Sequence, residues 1–143
     1  MRSLLWIFML TITVAASNTF FTTDPAPSPD GSKIAFSYEN DIWIVGSSGG
    51  QAYRLTGMEG KESEPAYSPD GKWIAFTGRQ DGNPNIYLMP AEGGEIRQLT
   101  FHDDNDYVES WSWDSKFIYF SSRYNYKTTF KVSIDGGTPR KIV

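Results

Sequence analysis

Cysteine is absent from this sequence of 143 residues, and histidine occurs once. The lack of cysteine excludes disulfide bonds, thiolate metal sites and lipid attachment to a cysteine. With a single histidine and no GxSxG motif, neither a Ser-His-Asp nor a Cys-His arrangement can be assembled from convincing parts. The GxGxxG and GxxxxGK phosphate-loop spacings are also missing. We therefore expect no catalytic, cofactor-binding or metal-binding residues in this chain.

An excess of positive charge is lacking as well. The 13 Lys and Arg residues are outnumbered by 17 Asp and Glu residues, so the formal net charge is −4. A mildly acidic surface without a basic run repels phosphate backbones. The composition therefore argues against nucleic acid as a partner.

The sequence also has no apolar run long enough to cross a bilayer, which takes roughly 18 to 20 residues. The amino terminus instead has Arg2, an apolar run from Leu4 to Val14 and then small residues. This layout is typical of a secretory signal peptide. We predict a signal peptide over residues 1–17, with cleavage after Ala16, in preference to a membrane anchor. The mature chain is then exported, periplasmic or extracellular, and free of the membrane.

One phrase occurs three times, as "SPDGSKIAFSY" (Ser28–Tyr38), "SPDGKWIAFTG" (Ser68–Gly78) and, in altered form, "SWDSKFIYFSS" (Ser112–Ser122). The leading serines are 40 and 44 residues apart. Each phrase is followed by an apolar run ("DIWIV", "NIYLM", "TFKVS"), a glycine pair and a closing segment ("YRLT", "RQLT", "RKIV"). These four sequence features recur in the same order with a period of 40 to 44 residues, which indicates a repeat architecture.

Each repeat predicts four strands, because its apolar runs are short, rich in β-branched and aromatic residues, and bounded by Asp, Asn, Gly and Pro. The inner runs are apolar on both faces, as in sheets that cover each other. Such repeats predict an all-β chain, a partial β-propeller, in preference to a parallel β-helix or a β-sandwich. We place blades at about 22–56, 63–100 and 107–143, three of a six- or seven-bladed ring.

Every residue of "SPDG" suits a turn between the first two strands of a blade. We therefore assign Asp30 and Asp70 to turns rather than to catalysis or metal binding. In the third copy Trp113 replaces proline and Ser115 replaces glycine, so we expect a different turn type there. The glycine pairs are expected to join the third and fourth strands, since they tolerate positive φ.

The segment "LTFHDDNDY" (Leu99–Tyr107) gathers the only histidine with three aspartates. It lacks the closing glutamate of a calcium loop and the ligand number that zinc needs, so we interpret it as a linker between blades. Trp111, Tyr124 and Tyr126 could be exposed aromatics near a rim, but core packing is the favoured role for each.

The stretch "SPDGKWIAFTGRQDGNPNIYLMPAEGGEIRQLT" (Ser68–Thr100) closely resembles the propeller repeats shared by TolB, a Tol-system periplasmic protein, and the tricorn-type serine peptidases. With "PSPDGSKIAFSYENDIWIVGSSGG" it is most similar to the amino-terminal propeller of exported tricorn-like peptidases, and the resemblance covers residues 24–143. TolB-like proteins place an α/β domain before the propeller, for which there is no room here. The resemblance implies that the catalytic residues of that family lie beyond position 143, so none is carried over.

The resemblance leads us to expect a non-catalytic propeller segment of an exported tricorn-like serine peptidase, which admits or filters peptides. Its partners would be peptides or proteins and downstream peptidase domains of the same polypeptide. The alternatives are a TolB-like periplasmic protein-binding propeller and the propeller of a dipeptidyl-peptidase-type serine hydrolase. Three blades do not close a ring, so we expect a fragment of a longer protein in preference to self-assembly into a ring. We also expect an open apolar face on the third blade, which would make the isolated chain aggregate.

Overall fold

A computed structural model describes residues 22–80, 82–123 and 127–142. The predicted signal peptide, Tyr124 and Tyr126 lie outside these described residues. Secondary structure in the described part consists of short β-strands, many of them in the apolar runs of the sequence. The strands are β1 (Thr23–Pro27), β2 (Lys33–Tyr38), β3 (Asp41–Gly46), β4 (Tyr53–Arg54), β5 (Glu62–Tyr67), β6 (Trp73–Gly78), β7 (Asn85–Pro90), β8 (Arg97–Gln98), β9 (Asp106–Trp111), β10 (Phe117–Arg123), β11 (Lys127–Ser133) and β12 (Arg140–Lys141).

The strands form three four-stranded antiparallel sheets in which neighbours in sequence are neighbours in space. Blade 1 contains β1 to β4, blade 2 contains β5 to β8 and blade 3 contains β9 to β12. The prediction of an all-β chain built from four-stranded propeller blades is thereby confirmed. Within the described residues, no helix is long and apolar enough to span a bilayer.

Blade 2 lies between the other two blades, and its two central strands alternate between two separate cores. The residues packed against blade 1 are Ile74, Phe76, Tyr87 and Met89. The residues packed against blade 3 are Ala75, Ile86 and Leu88. All seven are buried, and each large apolar side chain contributes about 1.5 to 3 kcal/mol on burial. The doubly apolar sequence of β6 and β7 is therefore explained by cover on both faces.

The repeated phrase forms a hairpin turn between the first two strands of each blade. In blade 1, the Gly31 amide donates to the Ser28 carbonyl at 2.9 Å, and Ser28 Oγ donates to Asp30 Oδ1 at 2.6 Å. Blade 2 repeats both contacts at the same distances, and its Gly71 has φ of 72°. These contacts confirm that the aspartates serve the turns.

The expectation of a different turn in the third copy is wrong. The Ser115 amide donates to the Ser112 carbonyl at 3.0 Å, and Ser115 adopts φ of 59° although it is not glycine. Its hydroxyl accepts a hydrogen bond from the Asp70 amide of blade 2 at 3.0 Å. This bond between blades compensates for a left-handed conformation that costs a non-glycine residue roughly 1 to 2 kcal/mol.

The glycine pairs join the third and fourth strands of each blade, as expected. All six glycines have positive φ, from 87° at Gly93 to 137° at Gly94. The second and third strands of blade 1 meet in a two-residue turn in which Glu39 and Asn40 also have positive φ. Such turns match the twist of the paired strands.

The open apolar face belongs to blade 1, which corrects the expectation for blade 3. The outward side of blade 1 has an open cavity of about 250 Å³, and its lining residues are Thr22, Phe36, Tyr38, Trp43 and Ala52. The outward side of blade 3 instead mixes aromatic and polar groups, and Lys131 Nζ lies 4.6 Å from the Phe117 ring centroid. Its Tyr119, Thr129 and Lys131 occupy the places held in blade 2 by Ala75, Ile86 and Leu88.

Candidate functional site

The first strands of the three blades lie beside one another, β1 next to β5 and β5 next to β9. A β-bulge interrupts both β1 and β5, between Thr23 and Ala26 and between Ser63 and Ala66. Asp24 and Glu64 occupy these bulges with φ of 54° and 55°. Because a bulge redirects a side chain out of the regular pleat, the two carboxylates are positioned by the backbone at equivalent places.

Hydrogen bonds connect these carboxylates from blade to blade. Ser37 Oγ donates to Asp24 Oδ2 at 3.1 Å, and Thr77 Oγ1 donates to Glu64 Oε2 at 2.7 Å. Asp24 Oδ2 also accepts from the Glu64 amide at 3.4 Å, and Thr77 Oγ1 accepts from the Val108 amide at 3.0 Å. Each blade thus fixes the first strand of the next through a side-chain acceptor.

Two arginines flank a tyrosine at the same end of blades 2 and 3. Arg79 Nη2 donates to the Tyr107 hydroxyl at 3.3 Å, and its guanidinium lies 5.9 Å from the ring centroid. The Arg123 guanidinium lies 5.3 Å from the same centroid. Stacking on an aromatic ring orients the planar guanidinium and leaves donors free for a ligand.

The carboxylates and arginines influence each other electrostatically. Burial raises the pKa of Glu64, the hydrogen bond from Thr77 lowers it, Asp24 and Glu109 raise it further, and Arg79 opposes that rise. We name the set Asp24, Glu64, Arg79, Tyr107, Glu109 and Arg123 the first-strand rim. The rim offers fixed charges of both signs and hydrogen-bond donors, which suit the binding of a charged ligand.

A buried glutamate supports the rim at the junction of blades 1 and 2. Glu62 is inaccessible to solvent, and its carboxylate accepts from Thr56 Oγ1 at 2.9 Å and from Gln80 Nε2 at 2.8 Å. Burial raises the pKa of Glu62 to about 7, the bonds from Thr56 and Gln80 oppose the rise, and neighbouring Asp41 adds to it. Thr56 Oγ1 also accepts from the Ile42 amide at 2.8 Å, so the carboxylate ties the end of one blade to the start of the next.

Asp106 occupies the equivalent place between blades 2 and 3 and is also fully buried. Burial raises its pKa, whereas the hydroxyls of Ser122 and Thr100 and the charge of His102 lower it. His102 Nδ1 lies 3.6 Å from Asp106 Oδ2. Within the described residues, no three side chains gather as possible metal ligands, and residues 101–105 connect β8 to β9.

The other residues singled out from the sequence take structural positions. Hydrogen bonds, first from Ser28 and then from Ser32, lower the pKa of Asp30 to about 2, and a bond from Ser68 lowers that of Asp70. Trp111 packs against the core between blades 2 and 3, and its Nε1 donates to the Ala66 carbonyl at 2.9 Å. The favoured core role of Trp111 is thereby confirmed.

Sequence reasoning missed the first-strand rim. A signal was present, because Asp24 and Glu64 each precede proline at the same place in their repeats, and Arg79 and Arg123 each follow directly after the repeated phrase. The residues are up to about 100 positions apart, and only the stacking of blades brings them together. The clue was that charged side chains of the same sign recur at equivalent places in the repeats.

Residues 18–143 match the sequence model of a protein family, the tricorn protease N-terminal beta propeller domain. Tricorn protease homolog 1 of Streptomyces coelicolor is 33% identical over 65 residues, which are 46% of this chain and 6% of that protein. A putative TolB from Agrobacterium tumefaciens matches with a TM-score of 0.73 and 23% identity over 89% of this chain and 50% of its own. TolB from Acinetobacter baumannii matches with a TM-score of 0.68 and 26% identity, over 87% of this chain and 32% of its own.

The crystal structure of the tricorn protease is also similar in fold, with a TM-score of 0.66 and 16% identity. This chain matches over 84% of its own length and covers 14% of that structure. It therefore spans a small part of the tricorn proteins and half or less of the TolB chains.

Proposed function

The chain belongs to the family of the tricorn protease N-terminal beta propeller domain, and from this premise we propose that it is a non-catalytic propeller segment of a tricorn-like serine peptidase. Its role is to admit or filter peptide substrates. Hydrolysis would then be carried out by downstream domains of the same polypeptide. The match to only 6% of the length of a tricorn protease homolog supports this division of labour.

The observation that carries the proposal is the first-strand rim. It presents arginines and carboxylates side by side, with Arg79 and Arg123 oriented on Tyr107. Hydrogen bonds from Ser37 and Thr77 hold its carboxylates without need of a ligand. Preorganised charges of both signs suit the recognition of peptide termini and charged side chains, since less ordering is required on binding.

We propose further that the protein is exported to the periplasm or the extracellular space. The support is the amino-terminal layout of Arg2 and an apolar run from Leu4 to Val14, which is typical of a signal peptide. Amino-terminal sequencing of the secreted protein would test this, because the proposal requires a new terminus near residue 17. A mature protein that retains Arg2 would contradict it.

The peptide-binding role can be tested with fluorescein-labelled acidic, neutral and basic hexapeptides and anisotropy measurements on the intact chain. Arg79→Gln with Arg123→Gln should weaken the acidic peptide about three- to tenfold, as expected for the loss of two exposed ionic contacts. The matched control is Arg54→Gln with Arg140→Gln, which removes the same charge from last strands of blades. Equal affinities in both double variants, or cleavage of any peptide by this chain alone, would refute the proposal.

A TolB-like protein-binding propeller is the second candidate. The 26% identity to TolB from Acinetobacter baumannii over 87% of this chain favours it. The gene sequence beyond codon 143 separates the candidates. A PDZ-like segment and a serine-peptidase core support the first candidate, about three more blades and a stop support the second, and a GxSxG elbow indicates a dipeptidyl-peptidase type.

A further inference from the structure

Two adjoining cavities lie between blades 1 and 2 at the end where the "SPDG" turns emerge. The larger, of about 420 Å³, is walled by Ile44, Tyr53 and Leu55. The smaller, of about 220 Å³, lies between the two turns and is lined by Asp30 and Asp70. Ser32, Lys33 and Glu92 line both cavities, which therefore form one continuous depression. We call this depression the turn groove.

The two halves of the turn groove differ in chemistry. In the larger cavity, Leu55 belongs to the core between blades 1 and 2, and Tyr53 is 61% exposed. The smaller cavity has the carboxylates of Asp30, Asp70 and Glu92 against the single ammonium of Lys33. Hydrogen bonds from Ser28 and Ser68 lower the pKa of Asp30 and Asp70, so both are ionised at neutral pH. The groove therefore pairs an apolar wall with an excess of negative charge.

An ion pair spans the boundary between the halves. Lys33 Nζ lies 2.6 and 2.7 Å from the two carboxylate oxygens of Glu92. The Glu92 side chain is 77% exposed, and an exposed pair of this kind contributes little to stability. A cationic ligand can consequently replace Lys33 on Glu92 at small cost.

The smaller cavity also contains a buried phenol without a partner. Within the described residues, the Tyr67 hydroxyl oxygen is buried and makes no hydrogen bond. Buried polar groups in proteins are nearly always paired, and an unpaired one is destabilising. Tyr67 also lines the smaller cavity, and because its hydroxyl oxygen is inaccessible to solvent, the ring rather than the oxygen forms part of the cavity wall.

We propose that the turn groove binds a peptide segment of a separate protein, in which a basic side chain is next to an aliphatic one. The basic side chain occupies the smaller cavity, where it meets the carboxylates of Glu92 and Asp70. The aliphatic side chain packs against Ile44 and Leu55 in the larger cavity. This surface shares no residue with the first-strand rim, so the inference goes beyond the proposed function.

The test uses the intact chain and acetyl-Leu-Arg-amide as the probe, with binding followed by calorimetry at low salt. Acetyl-Leu-Gln-amide and acetyl-Gly-Arg-amide are the comparison probes, each lacking one of the two features. We expect the Leu-Arg probe to bind about two- to fivefold more tightly than the Leu-Gln probe, the range that one exposed ionic contact provides. It should also bind more tightly than the Gly-Arg probe, because its leucine buries apolar surface. Equal affinity for the Leu-Gln probe, or no detectable binding of the Leu-Arg probe, would overturn the proposal.

Variants then locate the binding. Glu92→Gln should weaken the Leu-Arg probe about two- to fivefold, whereas the control Glu95→Gln removes an exposed charge that does not line the groove. An equal effect of Glu92→Gln and Glu95→Gln would refute this site. Arg79→Gln with Arg123→Gln should leave the probe unaffected, so failure here is distinguishable from failure of the peptide-filter proposal.

Discussion

Glu62→Gln is expected to stabilise the protein at pH 8 and to reduce the dependence of its stability on pH. Burial raises the pKa of Glu62 from 4.5 to about 7. Between these values the folded chain binds more protons than the unfolded chain, so the contribution of Glu62 to stability is complete below pH 4.5. That contribution is lost as the pH rises through 7. Ionisation of the buried carboxylate is the physical cause.

The size of the effect follows from the pKa difference. One pKa unit corresponds to about 1.4 kcal/mol, so the shift of Glu62 sets an upper limit of about 3 kcal/mol. We expect about 1 to 3 kcal/mol of stabilisation at pH 8. Glutamine can replace both hydrogen bonds, because its oxygen accepts from Thr56 and, once the Gln80 side-chain amide turns over, its own amide donates to Gln80 Oε1 in place of the bond from Gln80 Nε2. Within the described residues, Gln80 Oε1 is buried without a partner.

The assay is urea unfolding between pH 4.5 and 8, followed by tryptophan fluorescence. The wild-type free energy of unfolding should decrease as the pH rises, and the decrease should be smaller in Glu62→Gln. The free energy of unfolding of Glu62→Gln should still depend somewhat on pH, because burial also raises the pKa of Asp106. Glu95→Gln is the control, since it changes an exposed charge. A wild-type stability that is constant over this range, or a Glu62→Gln variant less stable than wild type at pH 8, would refute the reasoning.

Three further changes test the packing of the blades. Thr77→Val should cost about 2 to 4 kcal/mol, because it removes a donor to Glu64 and an acceptor for a buried amide; a urea midpoint equal to that of Thr77→Ser would contradict this. Trp113→Pro should raise the free energy of unfolding by about 0.4 to 1 kcal/mol, because proline fits the second turn position and Trp113 is 92% exposed; a lower free energy of unfolding would disprove the shared turn type. Phe36→Glu, on the open face of blade 1, should reduce self-association in light scattering more than Tyr119→Glu on blade 3 does. Equal effects would contradict this difference, and a larger effect of Tyr119→Glu would place the associating face on blade 3.

Much of the fold could be predicted from the sequence because it is encoded locally and repeatedly. Proline, aspartate and glycine in "SPDG" specify a turn within four residues, and glycine pairs specify the next connection. The turn type at Ser115 could not be predicted from the local sequence. There, a hydrogen bond from the neighbouring blade stabilises the left-handed conformation that glycine adopts in the other two blades. The turn type there depended on a contact that lies 45 residues away in sequence.

The candidate sites depended on the stacking of blades. Glu62 is an ordinary glutamate in the sequence, and its raised pKa results from burial between two sheets. Arg79, Tyr107 and Arg123 meet because blades 2 and 3 are adjacent. No pattern within one repeat carries that information, because each blade contributes only part of each site.

The sequence by itself determined the repeat, the four strands of each blade and the turns that join them, since all of these are short-range properties of the chain. Only the tertiary structure decided which faces are covered, because register and stacking place Phe36 and Trp43 of blade 1 outward and a mixed surface on blade 3. It also brought the two "SPDG" turns together around the smaller cavity of the turn groove. Charge, burial and hydrogen bonding at these places are properties of neighbours that are distant in sequence.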